Sequence, residues 1–429
     1  MDAVKSAVIL VLTWQARLVL WRWEPKVIAV TGSVGKTTTK DAIYAGIVGT
    51  LHVRKSAKSF NTAIGVPLTI LGLDNAWNNP LLWLFNIVRG FLPLLQRAGY
   101  PEWLVLEVGA DRPGDIRSIA RWLRPDIVVF TGVPEVPTHI EYFDSTEELV
   151  KEKKSLAKKL KPGGKLILNG DDPRTRDLKN DFRGASVTYG FNANDDFTAS
   201  HEEVMYVEGM PTGLRFRAER AGASIPVTVH GALGRPRVYA GLAALAVGEE
   251  VGMDLVSVSQ NLLAWEPPPG RVRILKGING SVIIDDTYNS SPTAAFAALE
   301  TLQNINATRR IAVLGDMLEL GKYSTDQHQK LGVYAAHCAE ILYTVGFRSK
   351  ATAESAHQNG MPKESIRIYE MKEAERAGTD LRNELKEGDV VLVKGSQGIR
   401  MERTVRAIMA EPNHAEELLV RMDAEWQNR

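Results

Sequence analysis

The stretch Val27 to Thr38, VIAVTGSVGKTT, limits what this chain can become more than any other. Val27, Ile28, Ala29 and Val30 are apolar and mostly β-branched, and predict a buried strand. Thr31, Gly32, Ser33, Val34 and Gly35 then turn the chain into a helix beginning near Lys36. Such a turn cradles phosphate. Gly32 and Gly35 let backbone N–H groups approach phosphate oxygens, Lys36 supplies a point charge for the β and γ phosphates, and the Thr37 hydroxyl, followed by Thr38, suits Mg2+. Val30 stands where longer phosphate loops carry their first glycine, so this is the shorter G-x-x-G-K-T form.

A chain of 429 residues with 44% hydrophobic content can bury two or three cores, which predicts a multidomain protein. Its 52 Lys and Arg nearly balance 51 Asp and Glu, so no net field calls for nucleic acid; the phosphate ligand is expected to be small. Cys338 is the only cysteine, which excludes an internal disulfide and fits a reducing, cytoplasmic setting.

Residues 3–23 are largely apolar and carry Trp14, Trp21 and Trp23 with only Lys5, Arg17 and Arg22 as charges. No small-residue cleavage site follows, which argues against a signal peptide, and Gln15 and Arg17 interrupt the run needed to span a bilayer. Packing on the domain and contact with a membrane interface, at the inner face, are the two readings left open. Residues 81–95 form a second apolar block, for which the same two readings hold.

Beyond the cradle, strands are predicted near Leu51–Val53, Trp103–Glu107, Asp126–Phe130, Lys165–Leu168 and Val187–Tyr189, alternating with helices, which implies a mostly parallel sheet. Ser59 to Pro67 reads as a substrate-facing loop. Glu107 and His139 each follow the end of a strand, where open α/β sheets place their chemistry. Three antiparallel strands are expected around 204–207, 214–218 and 225–229, separated by Pro211-Thr212-Gly213 and Gly222. The three prolines of Glu266-Pro-Pro-Pro-Gly-Arg271 mark a boundary. The expected domains are 1–25, an apolar helix; 26–266, a nucleotide-binding α/β domain; and 267–429, a second, Rossmann-like α/β domain with strands at 281–286, 311–315, 341–345, 366–369 and 390–393.

In this order, TGSVGKTT at 31–38, Asn61 with Ile64-Gly-Val-Pro67, LEVGA at 106–110, His139-Ile-Glu141, LNGDD at 168–172, Gly270-Arg271, DDTYNSSP at 285–292, GDMLELG at 315–321 and VKGS at 393–396 resemble the Mur ligases, and within them the MurF branch. The resemblance runs from about residue 26 to residue 408. It implies an ATP-dependent ligase of cell-wall precursor synthesis: a peptide carboxylate is phosphorylated and the acyl phosphate is attacked by the amine of D-Ala-D-Ala or a similar small amine.

By the same resemblance, Thr31 to Thr38 bind ATP, Lys36 holds the phosphoryl group in transfer, Thr37 and Glu107 bind one Mg2+, and His139 binds a second. Lys153, 14 residues beyond His139, matches a lysine that takes up CO2 as a carbamate ligand, with Lys154 the competing candidate. Arg271, Asp286 and Asn289 would reach the nucleotide. Asn61, Thr62, Tyr288 and Lys394 would line the substrate, and His328 matches a family histidine.

The chain departs from the family in three places. About 25 mostly apolar residues replace the N-terminal domain that holds the uridine diphosphate, so the carboxylate is expected on a UDP-linked or lipid-linked muropeptide. Ala240 stands where an asparagine contacts adenine, and Ser290 and Ser291 where Ala-Asn is common. The other readings are ligation to a different carboxylate, as in folylpolyglutamate and cyanophycin synthetases, and a non-catalytic nucleotide-binding scaffold.

Overall fold

The structure is a computed structural model that describes residues 2–57, 59–95, 99–182, 184–423 and 426, with side chains of the first helix from Lys5 onward. Nine strands form the first sheet: β1 Lys26–Thr31, β2 Val53–Lys55, β3 Trp103–Glu107, β4 Ile127–Phe130, β5 Lys165–Asn169, β6 Ser186–Gly190, β7 Phe197–Val207, β8 Met210–Arg220 and β9 Ala223–His230. Their order is β2-β3-β1-β4-β5-β6-β7-β8-β9, parallel as far as β7 and antiparallel from there to β9.

The apolar run of β1 follows from burial on both faces. Val27 and Ala29 join a core with Leu12, Val66 and Leu106, whereas Ile28 and Val30 join another with Ile43, Ile47 and Val105. Ile43 and Ile47 belong to the helix Lys36–Val48, so the strand and the helix that flank the phosphate loop are held by one core.

A second sheet contains β10 Arg273–Lys276, β11 Val282–Asp286, β12 Arg309–Gly315, β13 Ile341–Val345, β14 Ile366–Tyr369 and β15 Asp389–Lys394, in the order β10-β11-β15-β12-β13-β14. All neighbours are parallel except β10 and β11. The protein is thus α/β, with two mixed and mostly parallel sheets.

Two local expectations are corrected. Pro211-Thr212-Gly213 does not separate strands but lies inside β8, and the turn before it is Glu208-Gly209, with φ of 51° and 79°. Pro211 is tolerated because it pairs with Tyr206 on one side while β9 starts pairing only at Gly213, which leaves the proline at a local edge. Secondly, the substrate loop is shorter than expected: Gly65–Leu71 is a fully buried helix, with Gly65 packed against the Phe60 backbone.

The first helix, Asp2–Trp23, packs on the same face of the first sheet, burying Leu12, Gln15, Ala16 and Val19. Gln15 Nε2 donates to the Ile87 carbonyl at 2.7 Å and Trp23 Nε1 to the Pro93 carbonyl at 2.6 Å, which ties the helix to the second apolar block. Among the described residues no helix is long and apolar enough to cross a membrane.

Candidate active site

Gly32 (φ 141°) and Gly35 (φ 82°) adopt backbone conformations that an L side chain resists, and a Cβ at Gly32 would sit 2.1 Å from Thr131 Oγ1. The loop is clamped from β4's exit: Thr131 Oγ1 donates to the Val34 carbonyl at 2.6 Å, and Ser33 N–H donates to the Gly132 carbonyl at 2.7 Å. Thr31 and Thr38 are buried in this scaffold.

Parallel pairing of β1 with β3 sets Val30 opposite Glu107, which brings that carboxylate beside the loop. Thr37 Oγ1 donates to Glu107 Oε2 at 2.9 Å, Asn61 Nδ2 to Glu107 Oε1 at 2.9 Å, and Glu107 N–H donates to Ser56 Oγ at 3.1 Å. Glu107 does not cap the following helix, Asp115–Ala120, whose cap residue is Gly114. Thr62 Oγ1 accepts from Gly65 N–H at 3.3 Å.

Lys36 and Lys153 face one another electrostatically. Burial lowers the pKa of Lys36, partly opposed by Glu107. For Lys153, 2% exposed, burial and then the nearby Lys36 charge push it well below the ordinary lysine value. Its Nζ donates to the Gly32 carbonyl at 2.9 Å. Lys154 lies on another side of the helix Thr146–Ala157, paired with Asp181 at 2.7 Å.

The second lobe reaches into the same cleft. Arg271 Nη2 donates to Thr37 Oγ1 at 3.0 Å, with its guanidinium 4.0 Å from the Tyr288 ring centroid, and Tyr288 OH donates to Ser59 Oγ at 2.8 Å. His139, in the left-handed region (φ 67°), places Nδ1 2.6 Å from Glu319 Oε2 and Nε2 3.5 Å from Asp111 Oδ1. The imidazole holds the Glu319 carboxyl below its usual range. Asp111 also acts on Lys36 and Lys153, so it links the histidine to the lysine pair.

Asp286, Asn289 and Lys394 form a cluster of their own at the carboxyl ends of β11 and β15. Lys394 Nζ donates to Asp286 Oδ2 at 2.5 Å and to the Asn289 carbonyl at 3.0 Å. His328 is fully buried, accepting from Met317 N–H at 3.0 Å through Nε2, so it holds the 315–321 loop. Sequence reasoning gave no role to Asp111, Glu319 or Arg237. Glu319 lay within a recognised stretch, but its contact with His139 joins two lobes and has no signature in spacing. Arg237 is 1% exposed and donates through Nη2 to the Arg271 carbonyl; burial pushes its pKa down to about 9.

Thr37 and Glu107 offer hard oxygen donors side by side, with a guanidinium already drawn to the same hydroxyl, and this donor set fits Mg2+. Among the described residues no group of three or more His, Cys, Asp and Glu could hold a metal ion, so a site here needs donors of other kinds.

Comparison with known proteins matches residues 88–248 to the Mur ligase middle domain and residues 270–397 to the Mur ligase glutamate ligase domain. The chain is 29% identical over 393 residues to the UDP-N-acetylmuramoyl-tripeptide–D-alanyl-D-alanine ligase of Bacillus subtilis, covering 90% of this chain and 76% of that one. The enzyme of the same name from Escherichia coli is 27% identical over 392 residues, covering 89% and 76%. Among solved structures, MurF ligase from Thermotoga maritima in complex with ADP superposes with a TM-score of 0.76 at 26% identity, over 95% of this chain and 84% of that one. The two domain matches, together with these relatives, show that the chain belongs to the Mur ligase family of ATP-dependent amide ligases.

Proposed function

We propose that the protein is a MurF-type ligase of peptidoglycan-precursor synthesis, which joins D-Ala-D-Ala or a similar small amine to the carboxylate of a muropeptide, UDP-linked or lipid-linked. The observation that carries this reading is the meeting of the Lys36 loop, the Thr37–Glu107 pair and the desolvated Lys153 in one cleft that Arg271 and Tyr288 enter from the other lobe.

Each residue has a task that its surroundings suit. Lys36 and the Gly32–Gly35 amides hold the transferring phosphoryl group, whose concentrated charge requires preorganised donors. Thr37 and Glu107 would hold one Mg2+ and His139 a second, ions that would neutralise developing charge on phosphate and acyl phosphate. Lys153 has a lowered pKa, which favours the free amine that adds CO2, and the resulting carbamate would give an anionic oxygen where an ammonium repels a metal. Asn61 orients Glu107, and Arg271 leaves Thr37 for the nucleotide. In this reading the Pro267–Pro269 segment divides domain 26–266 from domain 267–429.

Phosphate release measured with peptide carboxylates and amines, singly and in pairs, tests the assignment. Release that needs both partners is expected; none above background with any pair overturns it.

A further inference from the structure

We infer that the face built from the first helix and residues 77–95 is a docking surface for an anionic lipid bilayer, into which it inserts without crossing. Of the 21 large apolar side chains that stand exposed among the described residues, twelve lie in residues 10–21 and 77–95. They are not scattered.

Leu10, Trp14 and Trp21 are 72%, 51% and 75% exposed, and with Arg17 they recur at the spacing of one helical stripe, opposite the buried stripe of Leu12, Ala16 and Val19. The helix is therefore apolar on both sides, and only one side meets protein.

The helix Pro80–Arg89 is inverted. Its single buried side chain is polar, Asn86, whose Nδ2 donates to the Asp74 carbonyl at 2.8 Å, while Leu81, Leu84, Phe85 and Val88 share the outward stripe. Trp14 meets Phe91 edge to face at 6.1 Å between ring centroids, so the two stripes are continuous. A groove of about 560 Å³ between the first helix and Ala63, Ile119 and Trp122 extends the face toward the loop that carries Asn61.

Charge selects the occupant. Lys5, Arg17, Arg22 and Arg89 are the charged residues of 5–23 and 80–95, all exposed and with no carboxylate among them, in a chain of net charge +1. A second copy docked by the same face would set cations against cations. An anionic headgroup layer complements them, and tryptophans beside leucine and phenylalanine suit the boundary between headgroups and acyl chains.

The test is co-sedimentation of the full chain with vesicles of phosphatidylcholine, with and without a fraction of phosphatidylglycerol. Binding is expected to be stronger on the anionic vesicles. Because the side chains are exposed, Leu84→Glu with Val88→Glu should leave the melting temperature and phosphate-release activity unchanged while weakening vesicle binding about tenfold or more. Arg17→Gln should weaken it about fivefold on anionic vesicles only. The inference is overturned if the chain fails to bind vesicles, if these substitutions leave binding intact, or if they abolish self-association of a chain that ignores lipid. The vesicle-binding, melting and self-association readouts do not depend on the ligase assignment.

Discussion

Lys153 is the residue on which most chemistry converges. Its ammonium would be buried beside Lys36, and burial together with that neighbouring charge pushes the lysine well below its ordinary value. Lys153→Ala is expected to lower phosphate release by about a hundredfold or more, with partial recovery on adding short-chain carboxylic acids, which can place an oxygen anion in the space left. Loss without recovery would argue that the amine serves packing alone. The sign of a pH effect also follows. Between the depressed folded value and 10.5, the unfolded state binds the proton and the folded state does not, so stability rises with pH across that window. Lys153→Met should flatten this slope in chemical denaturation at several pH values, whereas an unchanged slope would mean that the folded pKa is not lowered.

At the scale of elements, the phosphate loop depends on the close approach of β4's exit to β1's exit. Gly32→Ala forces a Cβ into Thr131 Oγ1 at a φ of 141°. It should cost roughly 1–3 kcal/mol and weaken ADP binding, seen together in thermal melts with and without nucleotide. Strands whose burial is two-sided were legible as apolar runs, and β13 falls where the residues predict it. The Pro211 segment was not, because whether a proline sits at an edge depends on where β9 ends, a tertiary matter. Nor was the helix Gly65–Leu71, too short to display a period. At the site, Lys36, Thr37 and Glu107 could be read from strand ends, yet Glu319 opposite His139 could not: that pair exists only through packing of one lobe on the other. The outward face of the first helix escaped for a related reason, since a helix apolar all round carries no asymmetry to detect.

For the whole molecule, several polar contacts bridge the lobes, and those at the cleft include Arg271 to Thr37, Tyr288 to Ser59 and Glu319 to His139. The first and third engage groups proposed to hold metal, so closure and ligand binding compete for the same atoms. Arg271→Ala combined with Glu319→Ala should enlarge the radius of gyration of the nucleotide-free protein in small-angle X-ray scattering, and ADP with Mg2+ should reverse the change. An unaltered radius would show that these two contacts do not hold the lobes together.

The central claim is that the cleft beside Lys36 activates a carboxylate by phosphorylation before an amine attacks. With a muropeptide labelled with 18O in the reacting carboxylate, ATP, Mg2+ and D-Ala-D-Ala, mass spectrometry of the released phosphate decides the matter. One labelled oxygen per phosphate, with formation of the amide, is the predicted result; unlabelled phosphate would contradict the account.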